Sequence, residues 1–324
     1  MKQFCVIKLI IMKPRTAGKP PLTKALFLLA MVICITPLVS APVALLSGFL
    51  FTYFLGHPFA HLNHKATNWL LKISVVGLGF GMNIGRALQV GEEGFKLTFF
   101  SIFSILVLGL FLGKLLKISP KTSRLVSSGT AICGGSAIAA IAPVIDANEK
   151  DMSVAMGTVF ALNAVALFVF PMIGHTLHLT QYEFGLWSAI AIQDTSSVVG
   201  AAAQYGKEAL AVATAVKLAR ALWIIPVALI FSFTLKGKAK SISIPWFIGL
   251  FIIAMAINTW LPFPIILSHD ISGLSKGLLV MTLFLIGSGL SVDKIKAVGW
   301  QPFALGIFLW VFISVGGLYI ILHR

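Results

Sequence analysis

Apolar segments long enough to cross a lipid bilayer recur along this chain from residue 24 to residue 322. A straight helix needs about 20 apolar residues to span the hydrocarbon core. Charged residues make up 11% of the 324, against roughly 25% in soluble domains. The pattern predicts an all-α polytopic membrane protein with about 10–11 transmembrane helices. The eleven candidate spans lie near 24–40, 42–56, 68–88, 95–116, 123–146, 152–174, 184–205, 209–235, 244–262, 272–291 and 299–322.

Basic residues predict the orientation. The net charge of +15 would suit a nucleic-acid partner, but Lys and Arg sit in short clusters between apolar runs, as the positive-inside rule expects. We therefore expect no nucleic acid and a lipid bilayer instead. With the N-terminus in the cytoplasm, the inside segments hold 17 basic residues and the outside segments, including Lys150, hold six. Residues 1–23 are then a cytoplasmic tail and 24–324 a single transmembrane domain.

An internal repeat at an offset of 208 points to a transporter. The segments GLGFGMNIGRALQVG (77–91) and LIGSGLSVDKIKAVG (285–299) share four identical residues in fifteen. In the predicted topology the first copy runs outward and the second inward, which is typical of inverted-repeat transporters. Alternatively, these glycines let two helices pack closely.

The segment SSGTAICGGSAIAAIAPVIDANEKD (127–151) predicts a broken helix. Gly129, Gly134 and Gly135 weaken the helix, and Pro143 disfavours helix at the residue before it. Unwound backbone at membrane depth is tolerated where it is buried in protein or lines a wet cavity, and half-helix N-termini suit anions. The alternative is a close-packed small-residue interface. The candidate substrate-binding residues here are Thr130, Cys133, Gly134, Gly135 and Ser136.

A second polar segment, IQDTSSVVGAAAQYG (192–206), holds Asp194, the one acidic residue that our span boundaries place at mid-membrane depth. A charge there costs at least about 2.5–3.5 kcal/mol, so it marks a functional site and should have a partner. Its polar neighbours are candidate binding residues as well, namely Gln193, Thr195, Ser196 and Ser197.

The next span offers that partner. Lys217 lies about 13 Å along a helix from Glu208, near the depth of Asp194, and Arg220 follows on the same face. We expect Asp194 to neutralise one of these cations and a bound anion the other; the alternative is a purely structural Asp–Lys pair. Asn163, in the middle of its span, is a weaker candidate that could simply bond a neighbouring helix.

Three blocks resemble a known family: SSGTAICGGSAIAAIAPVI, QDTSSVVGAAAQYG and AVKLARALWIIP. They are similar to the bacterial inner-membrane YeiH family, named for a proposed sulfate export, and the similarity covers residues 25–322. That family is grouped with the cation/proton antiporters and anion transporters, which include the bile-acid sodium symporters. The resemblance implies an inverted repeat, two broken helices that cross at mid-membrane, a core that moves against a panel, and often a homodimer.

One feature of the predicted topology conflicts with this expectation. The two broken segments run in the same direction, whereas inverted mates run in opposite directions. Either one segment is re-entrant, or a span count near them is wrong.

These features predict a secondary transporter of a small anion, such as sulfate, a sulfonate or a carboxylate, that works by alternating access. Lys217 and Arg220 would face the anion, Asp194 would be the gate or the proton-coupling group, and a proton or sodium gradient would drive transport. We expect no cofactor, metal site or enzymatic activity, because an intramembrane aspartyl protease needs two carboxylates in one site and no HExxH motif occurs. A passive anion channel is the nearer alternative.

Overall fold

The computed structural model describes residues 21–36, 38–234, 246–261, 264–289 and 299–323, and these residues contain helices and no strand. The helices are α1 (Pro21–Ile35), α2 (Ala41–Leu55), α3 (Ala60–Leu78), α4 (Ile84–Leu115), α5 (Pro120–Ala131), α6 (Gly135–Ile141), α7 (Glu149–Thr176), α8 (Gln181–Ala191), α9 (Thr195–Tyr205), α10 (Lys207–Ala221), α11 (Ile224–Thr234), α12 (Trp246–Trp260), α13 (Ile265–Gly289) and α14 (Trp300–Leu322).

Within these described ranges, five helical segments are long and apolar enough to cross a membrane. A sixth is added if α3 and the start of α4, which are bent by 107° across their break, count as one span. The all-α polytopic membrane fold predicted from the sequence is thereby confirmed. The five segments are Leu97–Leu115 in α4, α7, α10 with α11, Ile266–Gly289 in α13, and α14.

The first broken segment folds back on itself instead of crossing. Lys121 at the start of α5 donates to the backbone carbonyl of Asp146, and its Nζ lies 3.4 Å from the Asp146 carboxylate. Thr122 donates a 2.5 Å hydrogen bond to Asp151 at the start of α7. A straight helix from 121 to 146 would separate its ends by about 38 Å. Residues 120–146 therefore form a hairpin, hairpin 1, with α5 and α6 as arms and residues 132–134 as tip.

The second broken segment is a hairpin too. The Tyr205 hydroxyl at the end of α9 donates a 2.7 Å bond to the Leu179 carbonyl, which precedes α8. The Glu208 amide donates to the Gln181 side chain at 3.0 Å. Both ends of residues 181–205 thus lie together. We call this segment hairpin 2, with α8 and α9 as arms and residues 192–194 as tip.

Helix α7 places the two hairpins on opposite sides. It has 28 residues, so it is about 42 Å long. Asp151, at its start, bonds the open end of hairpin 1. His175, at its end, stacks on Tyr205 at the open end of hairpin 2, with ring centroids 4.4 Å apart. The hairpins therefore enter from opposite ends of the bundle.

The predicted spans 123–146 and 184–205 are accordingly wrong as crossings. Each contains two short arms whose summed length mimics one apolar span, which is why hydropathy alone assigned a crossing. The structure removes the conflict of direction, because both segments are re-entrant and they point in opposite directions. In the charge count, Lys150 moves to the same side as Lys121, so the predicted bias rises to 18 against five.

A structural repeat at an offset of 61 residues relates the helix and hairpin pairs α4–hairpin 1 and α7–hairpin 2. Both long helices end in a left-handed residue, Lys117 with φ 54° and His178 with φ 52°. Two residues later, Ser119 and Thr180 cap the first arms by accepting amide hydrogen bonds. These matching caps explain why the chain reverses direction immediately after each of the two long helices. The second copy of the repeat at offset 208 extends over residues 290–298, outside the described residues, as does most of the predicted tail at 1–23.

Candidate functional site

The two hairpin tips touch each other beside α7. Gly134 in tip 1 has a φ of +65°, a conformation that favours glycine. A Cβ atom at this position would lie 3.3 Å from the Asp194 Cα in tip 2 and 3.2 Å from Val159 Cγ1 of α7. Larger residues have no room there. The backbone conformation therefore favours glycine, and the close approach of three elements leaves little space for a side chain.

Asn163 holds tip 2 at the middle of α7. It is the fifteenth of the helix's 28 residues. Its Oδ1 atom accepts hydrogen bonds from the backbone amides of Gln193, at 2.9 Å, and Asp194, at 3.2 Å. The Gln193 side chain then donates to Thr130 Oγ1 of hairpin 1 at 3.1 Å. Asn163 thus bonds the tip of hairpin 2 and not a neighbouring helix, and the two tips are joined at mid-bundle.

Asp194 caps the second arm of hairpin 2. Its carboxylate accepts from the amides of Ser196, at 3.1 Å, and Ser197, at 3.4 Å, and from the Ser196 hydroxyl. A carboxylate at a helix N-terminus is stabilised by the free N–H groups and by the helix dipole. Asp194 is partly exposed, whereas Thr195, Ser196 and Ser197 are buried.

The predicted ion pair between Asp194 and Lys217 is wrong. In the described part of the chain, Lys121 forms an ion pair with Asp146, and no ion pair joins Asp194 to Lys217. The Lys217 Nζ atom instead donates to the backbone carbonyls of Ile192, at 2.7 Å, and Ala189, at 3.3 Å. These carbonyls end the broken arm α8 and have no intrahelical partner, so they attract a cation.

Arg220 performs the same task for hairpin 1. Its Nε atom donates to the Ala131 carbonyl at the end of α5 at 2.7 Å, and its Nη1 atom donates to Ser101 Oγ of α4 at 3.1 Å. Both cations are fully buried, and they lie three residues apart on α10. One helix therefore holds the first arms of both hairpins.

Several polar atoms near the tips are buried without a hydrogen-bond partner among the described residues. They are Asn163 Nδ2, Gln193 Oε1, Arg220 Nη2 and Ser128 Oγ. A buried donor or acceptor left unpaired costs about 1–3 kcal/mol, so such groups are rare unless a ligand or water serves them. The tips thus have unused capacity for both donors and acceptors.

The remaining predicted site residues occupy the same region. Cys133, in tip 1, is buried. Gly135 is partly exposed and Ser136 is exposed, so α6 presents one accessible face beside the tip. Among the residues described, no three His, Cys, Asp or Glu side chains approach as metal ligands would.

Sequence reasoning missed the groups that complete this arrangement. The partners of Lys217 and Arg220 are mainly backbone carbonyls, which side-chain patterns do not reveal. Ser101 gave no signal, since a lone serine in an apolar run is ordinary. Asp151 was detectable, because Asn148 three residues before it is a helix-capping pattern.

Comparison with known proteins places this architecture in a family. The family model described as Conserved hypothetical protein 698 matches residues 23–306. The chain belongs to this family. A UPF0324 membrane protein of Bacteroides thetaiotaomicron is 53% identical over 282 residues, which is 86% of each chain. A UPF0324 membrane protein of Photobacterium profundum is 49% identical over 92% of each chain, and one of Porphyromonas gingivalis is 51% identical over 89% of this chain and 88% of its own.

The match confirms the YeiH-type resemblance drawn from the sequence. The names of these UPF0324 relatives describe membrane proteins and give no substrate. No solved structure matches this chain significantly. The activity of this member of the Conserved hypothetical protein 698 family must therefore be inferred from the geometry of its candidate site.

Proposed function

We propose that this protein is a secondary transporter of a small anion that works by alternating access. The observation that carries the proposal is the meeting of two opposed re-entrant hairpins at the midpoint of α7, through Thr130, Asn163 and Gln193. Irregular backbone at membrane depth is tolerated where it is enclosed by protein or lines a water-filled cavity. Each hairpin closes one end of the bundle, so movement at either one opens the tips to one side.

Charge balance supports an anion as the substrate. Lys217 and Arg220 are fully buried, and Asp194 is the one carboxylate at the described tips. Burying charge is costly unless it is compensated, and one positive charge remains in excess here. Sulfate, a sulfonate or a carboxylate would balance it. The unpaired atoms Gln193 Oε1 and Asn163 Nδ2 could serve the bound anion or its water.

The proposed roles of the side chains follow from their contacts. Gly135 and Ser136 form the accessible wall of tip 1, and Asp194 the partly exposed wall of tip 2. Asp194 is then the gate or the group that couples transport to a proton or sodium ion. Lys217 and Arg220 hold the arms of the hairpins and also contribute a positive electrostatic potential at the tips. They need not contact the anion directly.

The proposed location is the bacterial inner membrane, with the N-terminus in the cytoplasm. The charge bias supports this orientation. Hairpin 1 then opens to the cytoplasm and hairpin 2 to the periplasm. A homodimer would agree with the resemblance to the transporter superfamily.

The test begins with purified protein and a thermal-stability screen against sulfate, sulfonates, carboxylates and halides. An anion that stabilises the protein is then assayed for uptake into proteoliposomes. We expect uptake that saturates and that is accelerated by unlabelled anion on the opposite side. A flux that rises linearly with anion concentration and shows no counter-transport would indicate a channel and refute the proposed carrier mechanism.

A pair of glycine variants links transport to the tips. Gly134→Leu should abolish transport while the protein still reaches the membrane, because a side chain cannot fit between Val159 and Asp194. Gly316→Leu is the matched control, since a Cβ at that position meets nothing within 4 Å. Normal transport by Gly134→Leu would mean that the tips are only a packing interface.

A further inference from the structure

An apolar groove of about 400 Å³ lies between α4 and the junction of α10 with α11. Gly91, Gly94 and Thr98 form its α4 wall. Val216, Trp223 and Pro226 form the other wall. None of the described lining residues carries a charge. None of the described lining residues is among the residues proposed above to bind the anion.

Two features of the sequence open this groove. Gly91 lacks a side chain, and a Cβ there would meet nothing within 4 Å. Pro226 has no amide hydrogen, so it cannot bond the carbonyl of Leu222, and the helix breaks at residues 222–223. The missing side chain and the interrupted helix leave space between the two helices.

The groove has a polar end and an apolar end. Gly94 approaches Val216, while further along α4 Phe99 packs on Trp223 with ring centroids 5.5 Å apart, so the two helices run in parallel. The end at Gly91 therefore adjoins the exposed Glu92, and the end at Pro226 is surrounded by apolar residues. This gradient from charge to hydrocarbon matches the axis of a phospholipid.

We propose that the groove binds one acyl chain of a bilayer phospholipid. Phe95 and Leu222 at its rim are 55% and 44% exposed, so the groove is continuous with the lipid-facing surface. An unfilled apolar space forfeits dispersion contacts along its walls, and hydrocarbon is the abundant molecule at this surface. A charged head group has no partner in the interior, because none of the described lining residues is charged.

The bound chain acts as a spacer between α4 and α10. Arg220 bridges the same two helices through its 3.1 Å bond to Ser101, and it lies next to the groove residue Ala219. Occupancy of the groove therefore fixes the separation across which Arg220 holds hairpin 1. This consequence concerns stability and does not require the protein to transport an anion.

Photolabelling in proteoliposomes tests the site directly. The probe is a phosphatidylethanolamine with a diazirine in the middle of one acyl chain, followed by a chase with unlabelled lipid before irradiation. We expect labelling at Trp223 to survive the chase and labelling at Phe103, which is 64% exposed outside the groove, to be lost. Equal loss at both positions, or cross-linking to a second protein chain in place of lipid, overturns the proposal.

Variants with filled and open grooves provide the control. Gly91→Leu should abolish the chase-resistant label at Trp223, and Gly91→Ala, which changes the fold least, should reduce it. Gly316→Leu adds the same side chain at an open position on α14 and should change nothing. Delipidation should lower the melting temperature of the wild type more than that of Gly91→Leu. Persistent Trp223 labelling in both Gly91 variants would refute an acyl chain in the groove.

Discussion

The re-entrant course of hairpin 1 predicts a distance that a membrane-spanning helix cannot give. Residues 121 and 146 are 25 positions apart, which is about 38 Å in a straight helix. In the structure their side chains are in contact, with Lys121 Nζ 3.4 Å from the Asp146 carboxylate. Lys121 is partly exposed and Asp146 is exposed, so spin labels at these positions should report a short distance, and the surface ion pair they replace contributes only about 0–1 kcal/mol.

Pulsed electron paramagnetic resonance in nanodiscs measures this distance, in a background where the three cysteines are replaced by alanine. The matched control is the pair Lys150 and His175, which is also 25 residues apart but lies along the continuous helix α7. We expect the control near 38 Å and the hairpin pair far below it. If both pairs gave the same long distance, residues 120–146 would cross the membrane and the opposed hairpins would not exist.

Three further predictions concern stability. Asp151→Ala removes the acceptor of two hydroxyl hydrogen bonds and should lower the free energy of unfolding by about 2 kcal/mol or more, seen as a lower melting temperature, whereas Glu149→Ala at an exposed position nearby should be neutral. Lys217→Met should destabilise the protein, and Asp194→Asn should not rescue it in the double variant, because the two residues form no ion pair; recovery of the melting temperature would restore the pairing hypothesis. Gly134→Ala should cost about 1–3 kcal/mol, because a φ of 65° with a ψ of −127° is a conformation that residues other than glycine rarely adopt, and denaturant unfolding would detect the loss as a lower midpoint.

The sequence predicted where the helices break but not what the breaks do. Glycines at 134 and 135 and the polar run after Gln193 correctly placed both discontinuities. Whether a chain continues or reverses at a break depends on the caps at the open ends. The cap at Thr180 and Glu183 can be recognised in the sequence, because these residues form a capping box. The left-handed residue before this box is His178, whereas glycine is the usual residue at such a position.

The repeat at offset 61 leaves little trace in the sequence for the same reason. Lys117 and His178 have the same backbone conformation with different side chains, and Ser119 and Thr180 make the same cap with different residues. A repeat that is conserved in dihedral angles and hydrogen bonds leaves few identical letters. The repeat predicted at offset 208 rests on identical glycines, and it stays a prediction because its second copy extends outside the described residues.

The charged side chains at the hairpin tips interact with the ends of the short helices and not with one another. Four half-helix ends meet there, two with free carbonyls and two with free amides. Arg220 serves the carbonyl end of α5, Lys217 that of α8, and Asp194 the amide end of α9. The amide end of α6, at Gly134, receives no cap from the described side chains. Three ends are thus matched by a charge of opposite sign, and the side chains at the tips carry one positive charge in excess, which supports the proposal of an anion as substrate.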